Sequence, residues 1–452
     1  MRGYLRQRRG LSLLQHALRT VALPHIFWSA LTSDRFDIHC IMTQTPSPTI
    51  ANSDRNAAVI AGFLGWTLDA FDFAIMTFCL PDIAATYHLD RKFITFCVPL
   101  TMMMRPIGAF IFGLLADRYG RRTPMMLNLI FYSCMSILSG LAPSYRTFLI
   151  CRALFGIGMG GEWGVGASLA LEKVPARFRG LISGLLQEGY AVGGILASLA
   201  GLIVYPLAQH WHIEAWWRIL FLLGGLPAII AIYIRAKVKE SAVWEKAKKD
   251  SWSQLGSALV SNWRIFLSIL ILMTMMNLAS HGTQDLFPSL LKDHFHLDKV
   301  KVAGVTAFSQ FGMICGGIVM GFFSDKIGRK RAMIISFICG SFVVPLWAYA
   351  PNMALLLVGS YLLQFFVQGA WGVIPAHINE LSPDSVRGFL PGFAYQCGAA
   401  LAGGVPSLEE KLKDHLGLGN AMALSAIVIL PLAAIVVALG KQRTAVEFGT
   451  VE

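Results

Sequence analysis

Gly113-Leu114-Leu115-Ala116-Asp117-Arg118-Tyr119-Gly120-Arg121-Arg122 returns 208 residues later as Gly321-Phe322-Phe323-Ser324-Asp325-Lys326-Ile327-Gly328-Arg329-Lys330. The same offset carries Glu172, Pro175, Arg179 and Gly180 onto Glu380, Pro383, Arg387 and Gly388. It also carries Gly184 onto Gly392 and Glu188 onto Gln396. So many matches at one offset are not coincidence: the chain contains two copies of one unit in parallel repeat.

Composition says what the unit is made of. The chain has 452 residues, 55% hydrophobic and only 14% charged, too few charges for a soluble protein of this length. Apolar runs long enough to cross a bilayer as helices lie at about 57–79, 93–115, 124–143, 147–171, 179–206, 216–235, 264–291, 300–324, 331–350, 353–375, 386–406 and 418–440. The reading is an all-α membrane protein of twelve transmembrane helices. Two six-helix halves, 56–235 and 263–440, are joined by a Lys- and Glu-rich linker, 236–262, and followed by a short tail, 441–452.

The net charge of +12 raises nucleic acid as a partner, but the distribution of the charge excludes it. The loops after the even-numbered helices, with the C-terminal tail, hold 20 of the 38 Lys and Arg residues, against nine in the opposite loops. By the positive-inside rule both termini are cytoplasmic, in a cell (inner or plasma) membrane. Residues 1–55 are read as a cytoplasmic tail without fixed structure, or as a stretch upstream of a true start at Met42. The eight cysteines form no CxxC pair and read as small buried hydrophobes. No metal, cofactor or nucleotide loop is expected. The glycines of Gly156-Ile157-Gly158-Met159-Gly160-Gly161 serve close helix packing rather than phosphate.

The Gly-x-x-x-Asp-(Arg/Lys)-x-Gly-(Arg/Lys)-(Arg/Lys) loop, found twice between the second and third helix of each half, resembles the hallmark loop of the major facilitator superfamily. The resemblance spans residues 56–440. In physical terms the loop glycine permits close packing, and each Asp can pair with Arg or cap a neighbouring helix. A breakable cytoplasmic latch is expected from Asp117, Arg118, Arg121, Arg179, Asp325, Arg329 and Arg387, with Asp117 and Asp325 partnered by residues such as Arg179 and Arg387. The plainer alternative is positive charge that only sets topology.

Charges inside the apolar runs each need a partner, a proton or a ligand. Asp69 and Asp72 share one face of the first helix at i,i+3, which suits a proton carrier unless one of them pairs with a neighbouring Arg. Glu162 and Glu188 are further proton candidates. Arg152 lies roughly 9 Å deep in the fourth helix at 1.5 Å per residue. It can grip a carboxylate in bidentate fashion or form a structural ion pair. Arg105, near the midplane, is either a substrate ligand or a partner of Glu162 or Asp69.

In the seventh helix, Asn277, His281, Gln284, Asp285 and Pro288 share one face of an otherwise apolar run, a stripe that should line a cavity. Asn277-x-x-Ser280-His281-Gly282-x-Gln284-Asp285-Leu286-x-Pro288 resembles the signature of fungal lactate/pyruvate–proton symporters, with Ser289 where that family usually has Thr. Arg105-Pro106-x-Gly108 and the glycine run ending Glu162-Trp163 resemble the organic-acid branch that includes sialate permeases. The resemblance implies substrate and proton handling by Asn277, His281 and Asp285. It also implies a helix 4 Arg and a helix 11 Gln, for which Arg152 and Gln396 are the counterparts.

The expectation is a monomeric, non-enzymatic secondary transporter that carries a small monocarboxylate with protons by alternating access. Arg152 or Arg105 would hold the carboxylate, Asn277, His281, Gln284 and Gln396 its oxygens, and Asp285, Asp69, Asp72, Glu162 or Glu188 the proton. A sialic or aromatic acid symporter is the alternative. A drug exporter or a non-transporting sensor fits less well.

Overall fold

The protein is described from a computed structural model covering residues 52–247, 251–443 and 446–449. The expectations for the first 51 residues lie outside the described residues.

Among the described residues the fold is all helix, without a strand. The spans are α1 (Asn52–Thr86), α2 (Cys97–Tyr119), α3 (Arg122–Leu141), α4 (Tyr145–Leu171), α5 (Arg179–Gln187, continued by Gly189–His210) and α6 (Trp217–Leu223 and Pro227–Lys237). The second half repeats them as α7 (Trp263–Gln284 and Phe287–Asp293), α8 (Lys299–Ile327), α9 (Arg329–Ala348), α10 (Met353–Leu381), α11 (Leu390–Ala402 and Val405–Leu416) and α12 (Leu418–Leu439). Eleven of the described helical stretches are long and apolar enough to cross a membrane. The exception is α11, which Gly403 and Gly404 divide into two shorter arms. The linker is not extended chain: Ala242–Ala247 and Trp252–Ser261 are short helices within it.

Each half buries its own apolar core. Phe148, Phe221, Tyr132 and Phe155 are fully buried in the first half; Phe337, Trp347, Leu363 and Met422 are fully buried in the second. Large apolar side chains such as Leu202, Phe342 and Leu439 face outward, as they should where lipid is the solvent. Hydrophobicity therefore does not hold helix to helix, and close backbone approach does. A β-carbon on Gly108 of α2 would stand 1.6 Å from the Ile157 carbonyl oxygen of α4. The repeat preserves the contact: at Gly316 of α8 the same atom would stand 2.0 Å from the Phe365 carbonyl of α10.

A substitution follows from this contact. Gly108→Val is expected to lower stability by at least ~3 kcal/mol, the upper end of overpacking costs, because the obstacle is backbone rather than a movable side chain. Gly194→Ala, where nothing lies within 4 Å, is the control. Thermal unfolding of the two purified variants measures the difference, and equal melting would remove the packing argument.

Candidate functional site

Two matching latches close the bundle at the end that carries the linker. In the first, the Asp117 carboxylate accepts from the backbone N–H groups of Gly388 (2.7 Å) and Phe389 (3.0 Å). In the second, Asp325 accepts from Gly180 (2.8 Å) and Leu181 (3.0 Å). Each acid thus caps the start of a helix in the opposite half, where unpaired N–H groups and the helix dipole favour negative charge.

The arginine that pairs each acid lies one helical turn away: Arg121 with Asp117, and Arg329 with Asp325 at 2.7 Å. This corrects the expectation that Arg179 and Arg387 serve Asp117 and Asp325. Arg179 turns to a glutamate instead, and Arg387 pairs with Asp384. Arg179 donates to Glu380 at 3.2 Å, beside Arg329 at 2.9 Å; Arg387 stands 3.7 Å from Glu172, which also accepts from Arg121. The backbone donors win the aspartates because they are fixed at a helix start and need no side-chain ordering. Glu172 and Glu380 were visible as a repeated pair, but as members of the motif rather than of the latch. Gly120 and Gly328 turn the chain into the next helix at φ +102° and +92°, left-handed backbone that a side chain would strain.

The linker and tail complete this end. Glu240 accepts from the Arg121 N–H at 2.8 Å, and the Trp244 indole donates to the Asp117 carbonyl at 2.8 Å. The Phe448 ring lies 3.6 Å from the Arg179 guanidinium carbon and 3.8 Å from that of Arg387. Arg118 lies over Tyr119 at 5.4 Å.

The interior charges of the first half separate into two groups. Arg152 binds Asp72 at 2.9 Å with both side chains fully buried, packed 3.9 Å from the Phe155 ring. Ser136 donates to the other Asp72 oxygen. The structure therefore holds Arg152 and Asp72 as an ion pair inside the first half. Only Arg152 Nη1 is engaged: its Nε and Nη2 are buried without a hydrogen-bond partner among the described residues.

Arg105, Asp69, Glu162 and Glu188 form the other group. All are buried, and none of the oxygens of Asp69 and Glu162, nor Glu188 Oε1, nor Arg105 Nε and Nη2, has a hydrogen-bond partner among the described residues. The Arg105 guanidinium lies 5.9 Å from the Tyr395 ring centre of α11. Tyr395 in turn packs between Trp163 (4.7 Å) and Trp371 (5.6 Å). Glu162 shares a small cavity with Trp66, Trp163 and Pro375. Glu188 stands against α8, where a β-carbon on Gly317 would meet its carboxylate at 1.9 Å.

From the second half, Gln396 is buried with both amide atoms unpartnered among the described residues. The α7 stripe divides. Asn277 donates to the Met273 carbonyl at 2.8 Å, and Gln284 donates to Gln364 of α10 at 3.0 Å. His281 Nδ1 and Asp285 Oδ2 lie 2.9 Å apart, with side chains 32% and 41% exposed toward the end opposite the latches. Trp371 donates to Ser280 at 2.6 Å, tying the aromatic wall to the same helix. Of the wall residues, Trp163 appeared in the sequence only as the end of a glycine motif, and Trp371 and Tyr395 were not singled out, because an aromatic in an apolar run reads as core. The two halves are thus joined by matching polar contacts at one end, with buried polar groups of both halves between them.

Comparison with known proteins agrees. The family model of the Major Facilitator Superfamily matches residues 62–407 and 270–445. The chain belongs to that superfamily. It is therefore a transporter, not an enzyme. It is 32% identical over 377 residues to a probable 4-methylmuconolactone transporter of Cupriavidus pinatubonensis, covering 81% of this chain and 86% of that one. It is 29% identical to the sialic acid transporter NanX of Escherichia coli, covering 84% and 94% of the two chains. A carboxylic acid transporter protein homolog of Saccharomyces cerevisiae is 28% identical, and the match covers 79% of this chain and 61% of that longer one. Among solved structures, the proton:xylose symporter XylE superposes with a TM-score of 0.69 at 17% identity, covering 88% of this chain and 98% of that one, a likeness of fold.

Proposed function

We propose that this transporter is a proton-coupled symporter of a small organic monocarboxylate, of the lactate and pyruvate class, working by alternating access in a cell membrane. Both termini are read as cytoplasmic, so the state described here faces outward. The observation that carries the reading is Arg105: unlike Arg152, which is paired with Asp72, it is a buried guanidinium with no carboxylate pair among the described residues and with Nε and Nη2 unpartnered. A carboxylate anion supplies what Arg105 lacks, and protons supply what Asp69, Glu162 and Glu188 lack. Gln396 and the outward-exposed His281–Asp285 pair complete the opposite wall. Its relatives are named for carboxylic acid, sialic acid and 4-methylmuconolactone transport, which agrees with an acidic cargo.

One observation favours a second reading. The Trp163–Tyr395–Trp371 wall offers flat apolar faces, which suit a planar or aromatic acid better than lactate.

Uptake of labelled lactate into proteoliposomes, with and without an acid-outside gradient and an uncoupler, tests the coupling. Gradient-driven accumulation is expected; uptake indifferent to the gradient would sink it. Competition by pyruvate, nicotinate and sialate then ranks the cargo. Arg105→Lys loses the bidentate grip, worth about 1.5–3 kcal/mol for bonds to a charged group, and should raise the apparent KM roughly ten- to a hundredfold. His281→Ala and Asp285→Asn should each impair accumulation, and wild-type accumulation in both would remove the stripe from the mechanism.

A further inference from the structure

Glu409 lies on the Val405–Leu416 arm of α11, beyond the run from which the eleventh helix was expected. It is completely buried, and neither carboxylate oxygen has a hydrogen-bond partner among the described residues. It packs against Gly282 of α7: a β-carbon there would stand 3.4 Å from Glu409 Oε1. Gly282 follows His281 and precedes Asp285 by three residues, so the hidden acid packs on the same turn of α7 that carries the exposed His281–Asp285 pair. From α12 the Ser425 hydroxyl is placed to donate to its carboxylate, and from α7 the charged neighbour is Asp285 with its His281 partner. On its own arm, Lys413 is one turn away but binds Asp293 at 3.0 Å and Glu410 at 3.3 Å. A carboxyl kept for a structural ion pair would have taken that lysine. Val405, Glu409 and Leu412 follow the i, i+4, i+7 spacing of a helix face turned inward, so an acid stands where an apolar residue would serve packing better.

We propose that Glu409 belongs to the proton-coupling site and shares the transported proton with the Asp285–His281 pair across Gly282. The inference rests on the symport reading above. A proton from outside water reaches the exposed pair and passes to a Glu409 oxygen. The neutral acid is the form that the bundle can enclose when its outer end closes. When the bundle opens to the cytoplasm the same proton leaves to water and the carboxylate is restored, one proton in and one out. Glu409 is thus a proton-holding residue that acts through the pair and need not touch the organic acid.

The test uses the full-length protein in proteoliposomes, with the labelled acid that the wild type takes up best from lactate, pyruvate and nicotinate. Glu409→Gln is expected to lower gradient-driven accumulation by at least about fivefold, the low end of ordinary coupling between two ligands. Substrate counterflow at equal pH on both sides is expected to persist, the dependence of uptake on outside pH to flatten, and Glu409→Asp to restore both. An unchanged pH profile with full accumulation in Glu409→Gln would overturn the proposal. So would equal loss of accumulation and counterflow in both variants, which marks a structural role. If the wild type itself ignores the gradient, the symport reading falls, an outcome visible before any variant is compared.

Discussion

Arg152→Met should lose stability rather than substrate affinity. The guanidinium binds Asp72 at 2.9 Å with both side chains sealed from solvent, and its other face lies on Phe155. Removing one member of a buried pair leaves the other charge uncompensated, at a cost of about 3–5 kcal/mol. Removing both is different: a well-packed apolar pair in place of a buried ion pair is often neutral or stabilising. Asp72→Leu with Arg152→Met should therefore recover most of the melting temperature that Arg152→Met loses. Thermal unfolding of the two purified variants in detergent checks this. If Arg152→Met melts like the wild type but binds the acid poorly, Arg152 is a substrate ligand and the pair is incidental.

The second large effect is expected at the latches. Asp117→Asn removes the charge from two bonds to the start of α11 and from the Arg121 pair. A charged hydrogen bond exceeds a neutral one by about 1 kcal/mol, so losing the charge from two of them should lower the closed-to-open ratio at this end roughly ten- to a hundredfold. Because Asp325 holds the matching contact on α5, the double variant Asp117→Asn/Asp325→Asn should make the opened state dominant. Spin labels at exposed Thr123 and Arg331, one on each half, report the change as a longer inter-label distance. A distance distribution identical to the wild type's would mean that the two aspartates do not hold this end shut. Transport should fall as well, since a carrier held in one state does not cycle.

Most of the architecture could be read along the chain. The repeat at offset 208 exposed the two halves, and the apolar runs located the spans. Both are local or periodic properties that survive without a partner. The latch residues were legible as a repeated motif, but their partners were not. Arg387 and Asp117 look like natural mates until the fold places the N–H groups of Gly388 and Phe389 closer to the acid. The break in α11 hid Glu409, because the arm beyond Gly404 is polar enough to read as a loop.

The interior charges show the division most clearly. That Asp69, Asp72, Arg105, Arg152 and Glu162 lie in membrane helices follows from the sequence, because a twenty-residue apolar run must bury whatever it contains. Which of them neutralise each other follows only from helix packing. Asp69 and Asp72 differ by three residues on one face, yet the rotation of α1 against α4 gives Asp72 to Arg152 and leaves Asp69 without a hydrogen-bond partner among the described residues. The sequence alone determined a two-fold repeated membrane transporter fold with charges in its interior. The tertiary structure decided which charges pair with one another and which have no hydrogen-bond partner among the described residues, because Coulombic pairing depends on distances of a few ångströms between helices far apart in the chain.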